Sequence, residues 1–166
     1  MPEPYTCPIC GAVHNAPPDL GFETPLHYHA LSDRQKKHAV ITTETCVIDG
    51  KDCFIRGILP IPVHDRTQPF SYGVWVSLSR EHYDRYKELF GSRERQQEAP
   101  WYGWLANRLP GYPDTINVRV SIHHQPHPMR PMIRVASTDH PLMKEQRDGI
   151  TVERLHAIHA ANAHAE

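Results

Sequence analysis

Cys7-Pro8-Ile9-Cys10-Gly11, followed by His14, limits what this chain can become more than any other stretch. Two cysteines separated by two residues and closed by a glycine form a tight knuckle. Both thiolates then face one tetrahedral ion, with backbone N–H groups directed at the sulfurs. His14, four residues past Cys10, is close enough to reach the same ion. The stretch reads as half of a structural zinc site completed from later in the chain. A thioredoxin-type dithiol is the rival, but there the pair opens a helix that lowers the thiol pKa. Here Ala12-Val13-His14-Asn15 and then Pro17-Pro18 follow, and no helix runs through that. A disulfide or inert thiols remain the other readings.

Compartment enters that argument. Pro2-Glu3-Pro4-Tyr5 after Met1 is no apolar signal core, so a reducing, cytoplasmic location is expected, where disulfides are rare. No run approaches the roughly 18 apolar residues of a membrane span. The net charge is −1 with histidine neutral, which leaves no basic surplus for bulk nucleic-acid binding, though a small local basic patch is compatible with it. At 166 residues, 39% hydrophobic and with 16 prolines, one loop-rich domain over 1–166 is expected rather than a helical bundle.

Three segments follow along the chain. Residues 1–38 read as the knuckle and an irregular wrap, because Pro17, Pro18 and Pro25 exclude long helices. Residues 39–138 read as a sheet with inserted helices. Val40 to Ile48 and Cys53 to Val63 form a hairpin around Asp49-Gly50. Ser71 to Leu78 is the clearest strand, and Ser79 caps a helix over about residues 80–90. Ala99 to Pro110 reads as a one- or two-turn helix plugged into the core. Ile116–Ile122 and Arg130–Ala136 are strands. Residues 139–166 read as helices, with Pro141 at the start of one and Thr151 capping the next. The fold class predicted is α+β: an antiparallel sheet of about five strands, helices packed on one side, and an N-terminal zinc knuckle.

Completing the metal site is then a spacing problem. Cys46 and Cys53 flank the Asp49-Gly50 turn, where a hairpin can bring both toward one ion. The favoured ligands are Cys7, Cys10, His14 and Cys46, with Cys53 replacing His14 in a four-cysteine alternative. His27 and His29 come next. Four protein ligands close the site, which makes it structural rather than catalytic.

Several separated motifs share one further property. They are the Cys7 to His14 stretch, Cys46-Val47-Ile48-Asp49 with Phe54-Ile55-Arg56-Gly57, and Gly73 to Ser79. Gly103-Trp104-Leu105, Leu109 to Tyr112, Arg130-Pro131, and Asp139 to Leu142 with Gln146 and Gly149-Ile150 follow in order. Together they resemble the bacterial domain-of-unknown-function family 2199 over nearly the whole chain. The resemblance implies a single domain and no assigned activity; Cys46 fits its pattern and Cys53 does not.

Neither a Gly-x-Ser-x-Gly elbow nor a phosphate-cradling glycine loop is present. The expected function is therefore a non-enzymatic binding or interaction module, taking a protein or small-molecule partner. The alternative is a metal-dependent or histidine-assisted hydrolase of a small anionic substrate, using Arg56, Arg130, Asp139 and His140. His124 and His127 read as surface residues. Trp75, Trp101, Tyr102, Trp104 and Tyr112 either fill the core or line a groove, and core packing is favoured.

Overall fold

The computed structural model describes residues 3–165. Its ten strands and five α-helices form a mixed α+β fold around a small closed barrel. The first elements are a hairpin of β1 (Glu3–Thr6) and β2 (Val13–Ala16), then β3 (Asp19–Gly21). Two single-turn helices, α1 (Leu26–His29) and α2 (Asp33–Lys36), complete the proline-rich wrap.

Strand pairing begins where β-branched residues concentrate. β4 (Ala39–Ile41), β5 (Thr45–Ile48) and β6 (Asp52–Ile61) run antiparallel in sequence. The β5–β6 turn uses Asp49 and Gly50 at φ 53° and 65°, both left-handed, and the Lys51 N–H donates to the Ile48 carbonyl at 3.0 Å to close it. β7 (Phe70–Leu78) pairs with β6 from Cys53↔Leu78 to Ile61↔Phe70. The chain then passes through α3 (Arg80–Glu88) and a short 3-10 helix before β8 (Trp101–Leu105). In α3 the Ser79 side chain accepts the His82 N–H at 3.2 Å, as the sequence predicts. β9 (Arg119–His123) and β10 (Met132–Val135) follow as a hairpin. α4 (Pro141–Asp148) and α5 (Val152–Ala163) end the fold.

The expected open antiparallel sheet is instead closed. β6, β7, β8, β9 and β10 pair in a ring, each antiparallel to the next until β10 meets β6 in parallel at Met132↔Ile58. An odd number of alternating strands leaves the first and last pointing the same way, so closure has to be parallel. β5 and β4 extend the sheet beyond β6, and β3 adds in parallel to β7. Closure removes edges that an open sheet would leave unpaired.

Residues 101–105 form a strand, not the predicted helix. Their exposure alternates, with Trp101, Gly103 and Leu105 inward. A Cβ at Gly103 would lie 2.3 Å from the Ser77 carbonyl oxygen, so only glycine permits this approach to β7.

α3, α4 and α5 pack toward one face of β6 and β7, as expected, but the opposite face of these strands is covered as well. Ile55, Leu59, Val74 and Val76 face the barrel interior with Ile122 and Ile133, where Tyr83 of α3, Leu142 of α4 and Ile158 of α5 join them. Phe54 and Trp75 face the other way, into a cluster with Cys46, Ile48 and Ala106 that Phe22, Tyr28 and Leu31 of the wrap cover. Long, nearly continuous apolar runs in these strands have this cause.

Candidate metal centre

The knuckle is the turn of the β1–β2 hairpin. The Gly11 N–H donates to the Cys7 carbonyl at 2.9 Å and the Cys7 N–H to the Ala12 carbonyl at 2.8 Å. Gly11 sits at φ 75°, which glycine adopts without the penalty a Cβ brings. Register pairs Tyr5 with His14, so His14 stands beside the knuckle.

One buried face of the hairpin, Tyr5, Cys7 and Ala16, rests on Ala160 of α5. Tyr5 stacks on His156 with ring centroids 5.1 Å apart. That docking carries the C-terminal end of α5 to the knuckle, where His164 is the helix C-cap. The Cys7 Sγ lies 3.4 Å from His164 Nε2, and the Cys10 Sγ lies 3.2 Å from His14 Nε2. All four ligand atoms fall within 4.8 Å of one another.

This donor set fits a tetrahedral metal ion. Bond lengths of about 2.3 Å to sulfur and 2.0–2.1 Å to nitrogen imply edges of roughly 3.3–3.8 Å. The two sulfur–nitrogen distances, 3.4 and 3.2 Å, are near that range, and no edge has to shorten by more than about 1.5 Å. Burial alone disfavours a Cys7 thiolate. The backbone N–H groups of Cys10 and Ile9, with the His164 and Cys10 side chains, outweigh it and lower the thiol to about 7. A thiolate ligand is thus accessible near neutral pH.

His164 was not among the residues singled out from the sequence. The signal for it is the spacing of His156, Ala160 and His164, four apart along one face of the helix that Thr151 caps.

Cys46 and Cys53 lie elsewhere. In the β5–β6 ladder Cys46 opposes Phe54, and Val47 opposes Cys53. Opposed residues share a face, so the two thiols point to opposite sides of the sheet. Cys46 is fully buried beside Phe54 and Trp75, and burial together with nearby Cys53 pushes its thiol up to about 11. Cys53 contributes to the barrel core, and burial raises its thiol as well. Neither joins the four-residue cluster.

Of the four residues considered for catalysis, Arg56, Arg130 and His140 are each engaged in a local contact. The Arg56 guanidinium donates to the Thr43 carbonyl at 3.2 Å and lies over the Trp75 ring. Arg130 grips the Glu44 carboxylate through Nε and Nη2, both at 2.8 Å. His140 Nδ1 accepts the Leu142 N–H at 3.1 Å, which makes it the N-cap of α4, and Asp139 beside it is exposed. His27 and His29 are exposed on α1. His127 contacts the Phe90 carbonyl at 3.1 Å, and His124 packs edge-on against Trp101. The aromatic group divides: Trp75 and Trp101 are buried, Tyr112 is half-buried, and Tyr102 and Trp104 face solvent.

Among the described residues no helix is long and apolar enough to cross a membrane. Comparison with curated proteins and with solved structures found no match. A family profile described as an uncharacterized protein conserved in bacteria matches residues 6–150, which includes Cys7, Cys10 and His14 and stops short of α5. Across most of its length, therefore, the chain belongs to the bacterial family DUF2199.

Proposed function

We propose that the protein is a non-enzymatic binding module whose N-terminal hairpin is clasped to α5 by one structural zinc ion. The convergence of Cys7, Cys10, His14 and His164 carries this reading. Two thiolates and two imidazoles are a common zinc set, and four protein ligands leave no position for a reactive water. The hairpin supplies three ligands and the end of α5 the fourth, so the ion spans a long sequence separation. Constraint of that kind suits a structural ion whose binding is coupled to folding. The non-catalytic part draws support from Arg56, Arg130 and His140, each engaged in a local structural contact.

Elemental analysis of the purified protein tests it. One zinc per chain is expected, with marked loss from Cys10→Ser and from His164→Ala. Cys46→Ser and Cys53→Ser should keep the metal. Retention by His164→Ala combined with release by Cys46→Ser would overturn the ligand set.

A further inference from the structure

Folding leaves one aromatic surface unused. On β8, Tyr102 is 52% exposed and Trp104 45%, while their neighbours Trp101, Gly103 and Leu105 point inward. The register extends this outer face across two more strands. Trp104 opposes Arg119, Tyr102 opposes Ser121, and on the far side Ser121 opposes Arg134 and His123 opposes Met132. Opposed residues lie on the same face, so these side chains form one continuous patch.

The patch is basic. No carboxylate occurs in β8, β9 or β10. Arg119 and Arg134 have no ion-pair partner among the described residues, whereas Arg66, Arg130 and Arg154 each hold a glutamate. The Arg119 guanidinium instead lies over the Tyr102 ring, 4.5 Å from its centroid. His123 is held below its usual range by burial and then by the charge of Arg134.

We propose that this outer face of β8, β9 and β10 binds single-stranded nucleic acid, with Trp104 and Tyr102 stacking on bases and Arg119 and Arg134 contacting phosphates. Every base has a face that stacks on an aromatic ring or a guanidinium plane, and single strands present those faces. Two residues along a strand separate the rings by about 6.8 Å, roughly twice the 3.4 Å of stacked bases, so the bound bases are splayed apart. In a duplex the bases are already stacked on one another and the rings would gain nothing. An acidic peptide would satisfy the arginines and leave both rings without partners. With an overall charge of −1, affinity comes from this patch and not from bulk attraction, which agrees with the absence of a basic surplus. The inference rests on the binding-module reading but uses no part of the metal site.

Fluorescence anisotropy on the full chain tests it, with metal content measured on the same sample. The probes are labelled dT and U oligomers of about 12 nucleotides, a duplex of the same length and a polyglutamate peptide. Single strands are expected to bind best, with a log–log salt slope of about −1.4 for two phosphate contacts. Trp104→Ala and Tyr102→Ala should each weaken binding by roughly five- to a hundredfold. Arg134→Ala should reduce the slope to about −0.7. Val40→Ala, which alters another exposed apolar side chain on β4, should change nothing. Circular dichroism confirms that each variant is folded. Failure of folded protein to bind either oligomer at about 50 mM salt overturns the proposal. So does equal or tighter binding of duplex or peptide, or indifference to both aromatic substitutions. Single-strand binding by a sample without metal upholds this face while counting against the zinc clasp.

Discussion

The barrel and the N-terminal hairpin are held by different forces. β6 and β7 pair over nine positions and are buried on both faces, so the barrel rests on area removed from water. The hairpin has two four-residue strands and a buried cluster of only Tyr5, Cys7, Ala16 and Ala160. A two-stranded hairpin with so small a face is marginal alone. The ligand cluster at its tip offers what burial does not, and it sits where the buried face is thinnest. A chain can therefore carry a self-sufficient core and an appended element that depends on cross-linking.

Metal removal should separate the two regions most strongly. Structural zinc binds with about 10–16 kcal/mol of apparent free energy in small finger peptides. With a chelator, amide exchange should rise in residues 3–16 and at the end of α5, while protection in β6 and β7 persists. Loss of barrel protection at the same chelator concentration would show that the two regions are not independent.

Ile133→Ala probes the barrel in the opposite sense. Ile133 is fully buried where β10 closes on β6, and its truncation should cost about 2–5 kcal/mol by transfer and cavity effects. The midpoint in urea should fall, yet zinc content should stay at the wild-type level. A coupled loss of metal would contradict the separation.

Cys46→Ser sharpens the same contrast at one atom. A hydroxyl replaces a thiol in a dry cluster with Phe54 and Trp75, at a cost of about 1–3 kcal/mol. Melting temperature should drop with the metal unaffected, and the reverse pattern would return Cys46 to the ligand set.

The smallest effect is a pH dependence. Burial lowers the pKa of His124, beside Trp101 of the barrel, and of His159, beside Tyr5 at the hairpin junction. Each is held neutral when folded and titrates near 6.5 when unfolded. Between the depressed folded value and 6.5 the unfolded chain binds more protons, so stability rises with pH there. It is complete above about 6.5 and lost as the pH falls through the folded value. Thermal melts of chelated protein from neutral to mildly acidic pH should show this, and His159→Gln should flatten the dependence. An unchanged slope in that variant would remove His159 as a source.

Local chemistry made much of this legible in advance. The Asp49-Gly50 turn, the Ser79 cap, the alternation in β9 and the Pro141 and Thr151 helix starts depend on neighbours a few residues away. The knuckle of Cys7 and Cys10 with His14 is equally local, and the three residues do come together. Trp101 to Leu105 reads as helix in the sequence because short aromatic runs carry no strong period, and Gly103 takes its meaning only from the Ser77 carbonyl across the ladder. Barrel closure, at Met132 against Ile58, likewise depends on partners far apart in the chain.

Cys46 and His164 draw the boundary most clearly. From the sequence alone, Cys46 stands in a hairpin and is chemically able to bind metal, and His164 stands near the end of the last helical segment. Which one reaches the knuckle depends on strand register and on how α5 docks. The register opposes Cys46 to Phe54 and turns it into the apolar cluster, while Tyr5 and Ala160 bring the helix end within 3.4 Å of Cys7. The donor types, the knuckle and the local turns follow from the order of residues alone, because they are set by covalent geometry and adjacent hydrogen bonds. The fourth ligand, the closed barrel and the exposed rings of Tyr102 and Trp104 come from the packing of distant segments, because burial is shared among parts of the chain that meet after folding.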